Sequence, residues 1–346
     1  KSTESGRRVS LTKVRRIAVD VMGGDHGPHV TVSASLKALR RHHDLHLILV
    51  GPEQEINPSL DSLSPALRAR TSVLHTDDVI SNHDRPDRIL RSSRNSSMFI
   101  AIDQVKQGLA DACVSAGNTG ALLMAGRHLL KTIPGIDKPA IMAMIPVTRA
   151  GGYSYLLDVG ANVRNSAREL YQFACMGAVL ASSLSGRKSA RVALLNIGEE
   201  SIKGTPVIQD AAQLLADNPD FEYLGYIEGN QLFSGHADVI VCDGFTGNIT
   251  IKTSAGAVKA LQALMRRSIA RRWYYKTFSW ILKPLLRDLR REIDPARYNG
   301  ATLVGLQGII VKSHGNANEK GFLKAIEHAL RQINDNVPAL IAGKMV

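Results

Sequence analysis

The chain has 346 residues, of which 44% are hydrophobic and 21% charged, a composition that excludes wholesale disorder and fibrous repeats and allows a sizeable core. Its 43 basic and 31 acidic residues give a net charge of +12, which favours partners that carry phosphate, anionic lipid, nucleic acid or an acidic protein surface. Three cysteines without a CxxC spacing make a disulfide framework or thiolate zinc site unexpected, and they fit a reducing cytoplasm.

Short apolar segments alternate with amphipathic ones along the chain. The apolar segments predict strands at Arg16–Val21, Leu45–Val50, Thr71–His75, Ala112–Ser115, Ala140–Pro146, Tyr153–Leu157, Arg191–Asn196, Glu222–Ile227 and Val239–Cys242. The amphipathic segments include predicted helices at Val30–Arg41, Ser97–Gln107, Asn165–Ser182 and Val207–Ala216. Because "VALLNIG" and "DVIVCDG" are apolar throughout, as strands buried on both faces are, the pattern predicts a mainly parallel α/β sheet with helices on both sides.

No repeat and no low-complexity linker divides the sequence. We therefore predict one two-lobed unit over residues 17–335, preceded by a mobile basic tail at 1–16 and followed by a C-terminal tail at 336–346. The basic tail lacks the apolar core of a signal peptide. Since no segment approaches the roughly 20 apolar residues of a spanning helix, any membrane contact is expected to be peripheral.

Five predicted strands run directly into small polar turns, in "AVDVMGGDHGP", "CVSAGNTGALL", "LLDVGANV", "LLNIGEE" and "VCDGFTGNIT". The carboxyl ends of parallel strands share one edge, where ligands bind, so we expect the five exits to converge on one crevice. The candidate substrate-binding residues are Asp20, Gly23, Gly24, Asp25, Ser115, Gly117, Asn118, Thr119, Asp158, Gly160, Asn162, Asn196, Asp243, Thr246, Gly247 and Asn248.

Glycine-rich turns that lead into helices suit anions, because backbone N–H groups and the helix dipole face the ligand. Both "SAGNTG" and "GFTGN" have this form, although the chain contains neither a GxGxxG fingerprint nor a P-loop. Two alternatives stay open: each glycine merely permits a tight turn, and Asp20, Asp158 and Asp243 merely cap the following helices.

The motifs "AVDVMGGDHGP", "SAGNTGALL", "LDVGANV", "NIGEE" with Lys203-Gly204, "CDGFTGNITIK" and "GIIVKSHGNAN" resemble, in order from about Ile17 to about Gln332, the bacterial phosphate acyltransferases of phospholipid synthesis. The resemblance implies transfer of a fatty acyl group from acyl-acyl carrier protein to inorganic phosphate, giving acyl phosphate, without a cofactor. It also implies a three-layer α/β/α fold with a cleft, similar to phosphotransacetylases and isocitrate or isopropylmalate dehydrogenases, assembled as a homodimer.

The family acts in the cytoplasm and at the inner face of the membrane, where a membrane glycerol-phosphate acyltransferase consumes the acyl phosphate. One departure from the family lies in "RSSRNSSM", where arginine at positions 91 and 94 replaces the lysine expected at basic positions. This exchange keeps the charge but changes the donor geometry.

The reaction needs placement of phosphate against a thioester, donors for the oxyanion and help for the departing thiolate, but no covalent acyl-enzyme. We assign a phosphate cradle to Ser115, Gly117, Asn118 and Thr119, and an opposing turn to Thr246, Gly247 and Asn248. The catalytic candidates are Lys203, Lys312 and His314, with Lys252 as a further cation. His314 either protonates the leaving sulfur, donates to the oxyanion or stabilises its turn. No metal is expected at Asp25, His26 and His29, because Pro and Gly break the ligand spacing.

A basic aromatic segment at 259–292 carries ten basic residues and one acidic residue between positions 259 and 291. Its predicted membrane-contacting residues are Trp273, Tyr274, Phe278, Trp280 and Leu285. Docking of carrier protein and packing in a dimer remain alternatives. Nucleic-acid binding is disfavoured, because no recognised nucleic-acid motif accompanies the segment.

Two other functions remain open on the sequence alone. The first is a phosphotransacetylase-like transfer from acyl-coenzyme A. The second is a non-catalytic protein that binds lipid or nucleic acid. A dehydrogenase is less expected, because no nicotinamide motif is present.

Overall fold

A computed structural model describes residues 14–81, 84, 93–149, 152–271 and 295–345. Its strands are β1 Arg15–Asp20, β2 Leu45–Gly51, β3 Thr71–His75, β4 Ala112–Ser115, β5 Ala140–Pro146, β6 Tyr153–Leu157, β7 Arg191–Leu195, β8 Glu222–Ile227, β9 Val239–Val241, β10 Ala301–Val304 and β11 Ile309–Lys312. Its helices are α1 Gly27–Arg41, α2 Glu53–Leu60, α3 Pro65–Arg68, α4 Ser97–Lys106, α5 Thr119–Leu130, α6 Ala167–Ser185, α7 Pro206–Ala216, α8 Gly244–Ala270, α9 Glu319–Asp335 and α10 Val337–Met345. Short 3-10 turns lie at Gly229–Gln231 and Pro295–Tyr298.

Each strand predicted from the sequence is present, and five of them have the predicted bounds. The sequence also predicts a strand just before His314, where β11 lies, but it missed β10, whose short run "ATLV" was not singled out. It was also wrong about "GFTGN", which is the first turn of α8 and not a loop before the helix. Residues Arg15 and Arg16 of the predicted tail lie in β1, and positions 1–13 of that tail fall outside the described residues.

All described strands join one sheet in the order β3-β2-β1-β4-β11-β10-β5-β6-β9-β7-β8. Strand β10 is antiparallel to both β11 and β5, and β5 is antiparallel to β6. The other pairs are parallel. The predicted mainly parallel sheet is therefore confirmed, with an antiparallel centre. The extent of a single unit over 17–335 stays a prediction.

This antiparallel centre reverses the strand direction between two parallel blocks. Strands β3, β2, β1, β4 and β11 run one way, whereas β6, β9, β7 and β8 run the opposite way. The expectation of one crevice for all five polar exits is therefore wrong, because the two blocks end at opposite edges of the sheet. We call these the Asp20 edge, where β1, β4 and β11 end, and the Asp158 edge, where β6, β7 and β9 end.

Helices cover both faces of the sheet. Helices α1, α6, α9 and α10 bury one face, and their deepest large side chains include Phe173 and Phe322, both fully buried. Helices α4 and α5 bury the other face beside the Asp20 edge, and α8 begins beyond them at the Asp158 edge. Full burial of a Phe or Leu side chain in this core stabilises the fold by about 1.5–3 kcal/mol.

Polar caps fix where the helices begin, and two of these caps stand at strand exits. Asn118 accepts the N–H of Ala121 at the start of α5, and Asp243 accepts the N–H of Thr246 at the start of α8. The capping role left open for Asp243 is therefore confirmed. Since each cap directly follows a buried strand, α5 begins at the Asp20 edge and α8 at the Asp158 edge.

Candidate active site

Asp20, the last residue of β1, joins three segments at the Asp20 edge. Its carboxylate accepts one hydrogen bond from Ser97 Oγ and one from Ser115 Oγ, each at 2.6 Å, and only 1% of the residue is exposed. Ser115 Oγ in turn accepts the N–H of Gly117 at 3.0 Å. This chain of bonds fixes the start of the loop before α5. Because Asp20 is buried, it orients the site and does not itself offer a surface to phosphate.

Position 23 must be glycine because neighbouring atoms lie too close to its Cα for any side chain. A side chain there would begin 2.7 Å from both Asp20 Oδ2 and the backbone nitrogen of Gly117, a distance that no carbon tolerates. The next two residues also belong to this edge, since the N–H of Asp25 donates to the carbonyl of Gly315 at 2.8 Å. The turn "GGD" therefore packs between the exits of β4 and β11.

The phosphate cradle assigned from the sequence lies at this edge. Gly117 is buried, Asn118 caps α5 and Thr119 is exposed at the first helical position. The first N–H groups of a helix have no partner within it, and they point along the axis towards an anion. The N-terminus of α5 therefore opens to solvent directly above the Asp20 network.

Lys312 brings a cation beside the cradle. It is the register partner of Ser115, and its Nζ donates to the carbonyl of Ala116 at 3.2 Å and to the carbonyl of Ser313. Burial lowers the pKa of Lys312 to about 8, while Asp20 and Asp25 oppose that shift. The lysine is therefore mostly an ammonium at neutral pH. The carbonyl that it contacts belongs to Ala116, the residue directly before Gly117 of the cradle.

His314 follows Lys312 by two residues and is exposed. Its backbone N–H donates to Asn299 Oδ1 at 2.9 Å, and its Nδ1 accepts the N–H of Asn316 at 3.3 Å. Loss of water from the covered side of the ring lowers the pKa of His314, and the positive charges of Lys312 and of Lys259, which lies on α8, add to this effect. The imidazole is therefore neutral near pH 7, with its proton on Nε2 as an available donor.

Asp158, after β6, is the centre of the Asp158 edge. Its carboxylate accepts the N–H groups of Ile141, Ala161 and Asn162 and the side-chain amide of Asn162, at 2.8–3.0 Å. Burial raises the pKa of Asp158, and these four hydrogen bonds counteract the shift. The described donors to this carboxylate are thus N–H groups that hold loops in place.

The opposing turn, Thr246, Gly247 and Asn248, also belongs to the Asp158 edge. A side chain at Gly247 would begin 1.8 Å from the carbonyl oxygen of Asp158, so this glycine lets α8 pack directly on the exit of β6. Asn248 lies against Gly160, and the carbonyl of Asn162 accepts the N–H of Gly244. The structure therefore separates the opposing turn from the phosphate cradle.

Lys203 lies on the Asp158 edge as well, in the loop after β7. Its carbonyl accepts the side-chain amide of Asn196 at 3.2 Å, and its side chain is exposed. Lys252 is exposed on α8. Of the catalytic candidates, only Lys312 and His314 are brought together with the cradle. Arg91, Trp273, Tyr274, Phe278, Trp280 and Leu285 lie outside the described residues.

The sequence analysis missed Ser97, the third contributor to the Asp20 network. Ser97 is 1% exposed at the first position of α4, and its N–H donates to the carbonyl of Asp78. The neighbouring Ser96 caps α4 by accepting the N–H of Phe99. The pair "SS" in "RNSSM" was a visible helix start, but only the fold brings its second serine to Asp20.

This arrangement suits transfer to or from an anion. A helix N-terminus, a partly buried ammonium and a neutral imidazole with a free proton face one open edge. Together they offer hydrogen-bond donors to a phosphate, to an oxyanion and to a leaving group.

Comparisons with known proteins agree with this chemistry. The family model described as "Fatty acid synthesis protein" matches residues 15–340. A phosphate acyltransferase of Shewanella sp. (strain W3-18-1) is 46% identical over 329 residues, which are 95% of this chain and 96% of that protein. A phosphate acyltransferase of Halorhodospira halophila is 46% identical over 335 residues, which are 97% of each protein.

Solved structures resemble the fold at low sequence identity. A phosphotransacetylase from Streptococcus pyogenes has a TM-score of 0.61 and 16% identity, over 92% of this chain and 94% of that one. A branched-chain phosphotransacylase from Enterococcus faecalis has a TM-score of 0.56 and 14% identity, over 92% of this chain and 99% of that one. The predicted likeness to phosphotransacetylases is therefore confirmed at the level of fold.

Proposed function

Because the chain belongs to the fatty acid synthesis protein family, whose relatives at 46% identity are named phosphate acyltransferases, we propose that it transfers a fatty acyl group to inorganic phosphate. The donor is the thioester of acyl-acyl carrier protein, and the product is acyl phosphate for phospholipid synthesis. The observation that carries the proposal is the pairing of the Lys312 ammonium with the N-terminus of α5.

In this mechanism, phosphate lies at the phosphate cradle and is held by the N–H of Thr119, at the first position of α5, and by Lys312. A phosphate oxygen attacks the thioester carbon, so that a carbon–oxygen bond forms and the carbonyl becomes an oxyanion. Collapse of this intermediate breaks the carbon–sulfur bond. The departing thiolate takes the proton that the hydrogen phosphate loses on becoming acyl phosphate, so that atoms and charge balance, and the Nε2–H of His314 donates a hydrogen bond to the leaving sulfur or to the oxyanion.

Asp20, Ser97 and Ser115 contribute through geometry. Their hydrogen bonds hold Gly117 and the start of α5 at a fixed distance from β11, the strand that carries Lys312. A preorganised anion site spends no energy on ordering its donors during the reaction. The residues of the Asp158 edge have a different part in this proposal, which is to anchor α8 and the loops around β6.

The direct test is release of thiol from purified long-chain acyl-acyl carrier protein, with hydroxylamine trapping of the acyl phosphate. Release that requires phosphate, together with trapped acyl product, supports the proposal. Release with acyl-coenzyme A but not with carrier protein identifies a phosphotransacetylase-like donor. Failure of both donors in the presence of phosphate contradicts acyl transfer.

A homodimer forms part of the proposal, and α8 supplies the support for it. Four large apolar side chains of this helix are roughly half exposed or more, at Phe245 59%, Ile249 49%, Leu261 57% and Leu264 59%. A surface helix with unpartnered apolar residues favours a second copy of the chain as its cover. Sedimentation of the wild type and of Leu261→Glu/Leu264→Glu tests this, because a dimer that uses α8 dissociates in the variant.

Peripheral contact with the inner face of the membrane, beside a glycerol-phosphate acyltransferase, completes the proposal. Among the described residues, no helix has the length and apolarity needed to cross a bilayer. The support is the sequence between 259 and 291, with its ten basic residues and both tryptophans. Sedimentation with anionic and neutral vesicles tests it, and equal recovery with both contradicts it.

A further inference from the structure

A groove separate from the phosphate cradle lies between α4 and α5 on the outer surface of the protein. Its volume is about 270 Å³. Its lining combines apolar residues with three basic residues and one acidic one, namely Phe99, Ile100, Leu129, Arg94, Lys106, His128 and Asp103. The mechanism described above uses none of them.

The charge of the groove is positive. Arg94, Lys106 and His128 are exposed on its rim, and the single acidic group, Asp103, accepts a hydrogen bond from the side-chain amide of Gln107. Two further exposed cations, Arg127 and Lys131, stand at the same end of α5. An anionic partner is therefore attracted to this surface, and a cationic one is repelled.

The groove is built on the same two helices that form the active site. Ser97, in the first turn of α4, touches Asp20, and Phe99 and Ile100 follow within that turn. Helix α5 begins at the cradle and carries His128 and Leu129 in its last turn. A macromolecule bound in the groove therefore lies beside the cradle without filling it.

We propose that this groove docks an acidic surface of the protein that carries the acyl thioester. The inference rests on the proposed function and names the surface that selects its donor. The shape favours a protein over a membrane, because lipid insertion needs protruding apolar side chains whereas Phe99 and Leu129 are each only 7% exposed on the floor. The same burial leaves Phe99 no open face on which a nucleic-acid base could stack.

The test compares a large and a small donor with the same acyl chain, acyl-acyl carrier protein and the acyl thioester of pantetheine. In Lys106→Glu/His128→Glu, KM for the carrier-protein substrate is expected to rise about tenfold with kcat unchanged, because the substitutions place two negative charges on the rim that faces the acidic partner. The kcat/KM for the pantetheine substrate is expected to stay at the wild-type value. Lys188→Glu is the matched control, an exposed lysine in the loop before β7 that changes charge in the same way.

Anisotropy of labelled carrier protein gives a second readout that does not depend on turnover. Weaker binding to the double variant than to Lys188→Glu supports the groove even where no thiol is released, and that result overturns the proposed function alone. Equal binding, or equal losses with both thioesters, overturns the groove. If the double variant unfolds, Lys106→Gln/His128→Gln removes both basic side chains without adding a negative charge, and the same outcomes support or overturn the groove.

Discussion

Asp20 and Asp158 occupy similar positions at opposite edges of the sheet, since Asp20 ends β1, Asp158 directly follows β6 and each is buried. Their partners differ. Asp20 is held by two serine hydroxyls and is close enough to Lys312 for their charges to interact, whereas Asp158 accepts N–H groups of nearby loops. In the proposed mechanism, the carboxylate beside a cation and an open helix N-terminus supports the site of chemistry. A carboxylate surrounded by backbone N–H groups holds the architecture together.

The largest difference between the two edges is expected when Lys312, at the Asp20 edge, is replaced. We expect Lys312→Met to lower kcat/KM for phosphate by about 100-fold, because the ammonium beside the cradle is lost. Lys252→Met, which removes an exposed lysine of α8, is the control and should keep wild-type kinetics. Steady-state rates against phosphate concentration check both. Wild-type rates in a folded Lys312→Met protein would remove this lysine from the site.

For Asp158, at the Asp158 edge, we expect a loss of stability and not a loss of phosphate kinetics. In Asp158→Asn, an amide NH2 group faces two of the N–H donors that the carboxylate accepted, so the free energy of unfolding should fall by about 2–6 kcal/mol. Asp243→Asn is the matched control, because asparagine caps a helix as well as aspartate does. Urea denaturation measures both changes. A stable Asp158→Asn protein with impaired phosphate kinetics would show instead that the Asp158 edge takes part in chemistry.

The pH dependence of KM for phosphate gives a further test of the Asp20 edge. Because the pKa of Lys312 is about 8, we expect KM for phosphate to rise as the pH passes that value. Between about pH 8 and the higher pKa of an unfolded lysine, the unfolded chain binds more protons, so the contribution of Lys312 to stability rises with pH and activity is not lost through unfolding. In Lys312→Arg, which stays charged over this range, the rise in KM should disappear. An unchanged profile would assign the titration to another group.

Ser97 and Ser96 provide a comparison between adjacent residues. Ser97→Ala removes a donor to Asp20 and should raise KM for phosphate several-fold, about 1 kcal/mol, through a looser cradle. Ser96→Ala removes the cap of α4 and should lower stability by about 1 kcal/mol without this effect on KM. Thermal unfolding together with phosphate kinetics distinguishes them, and Ser97→Thr should restore KM. Identical behaviour of the two alanine variants would make Ser97 merely structural.

The smallest effect is expected at Lys203. It was a catalytic candidate because it follows "NIGEESI", yet its exposed side chain stands on the Asp158 edge. Lys203→Ala should therefore keep kcat and KM for phosphate within about twofold of the wild type, as surface substitutions away from a site do. Steady-state kinetics check this. A large loss of kcat/KM would indicate that the Asp158 edge contributes to the same active site as the Asp20 edge, for example across a dimer.

Much of the fold was accessible from local patterns. The apolar runs Thr71–His75 and Ala140–Pro146 gave strands with the observed bounds, because both consist of residues that a buried sheet favours. The cradle at "SAGNTG" followed from the strand, glycine turn and helix start in immediate succession. Ser97 and the grouping of Lys312 with Ser115 escaped prediction, since their contacts join segments that lie far apart in the chain.

The sequence by itself therefore determined most of the strands, several helix starts, the glycine turns and the resemblance to phosphate acyltransferases, because all of these reside in short consecutive motifs. Only the tertiary structure decided which polar exits meet. Strand β10 pairs antiparallel on both sides, and the third antiparallel pair, β5 with β6, leaves the second parallel block running opposite to the first. Strand direction depends on hydrogen-bond pairing between distant segments, so Asp20 and Asp158, which look alike in their motifs, end at opposite edges of one sheet.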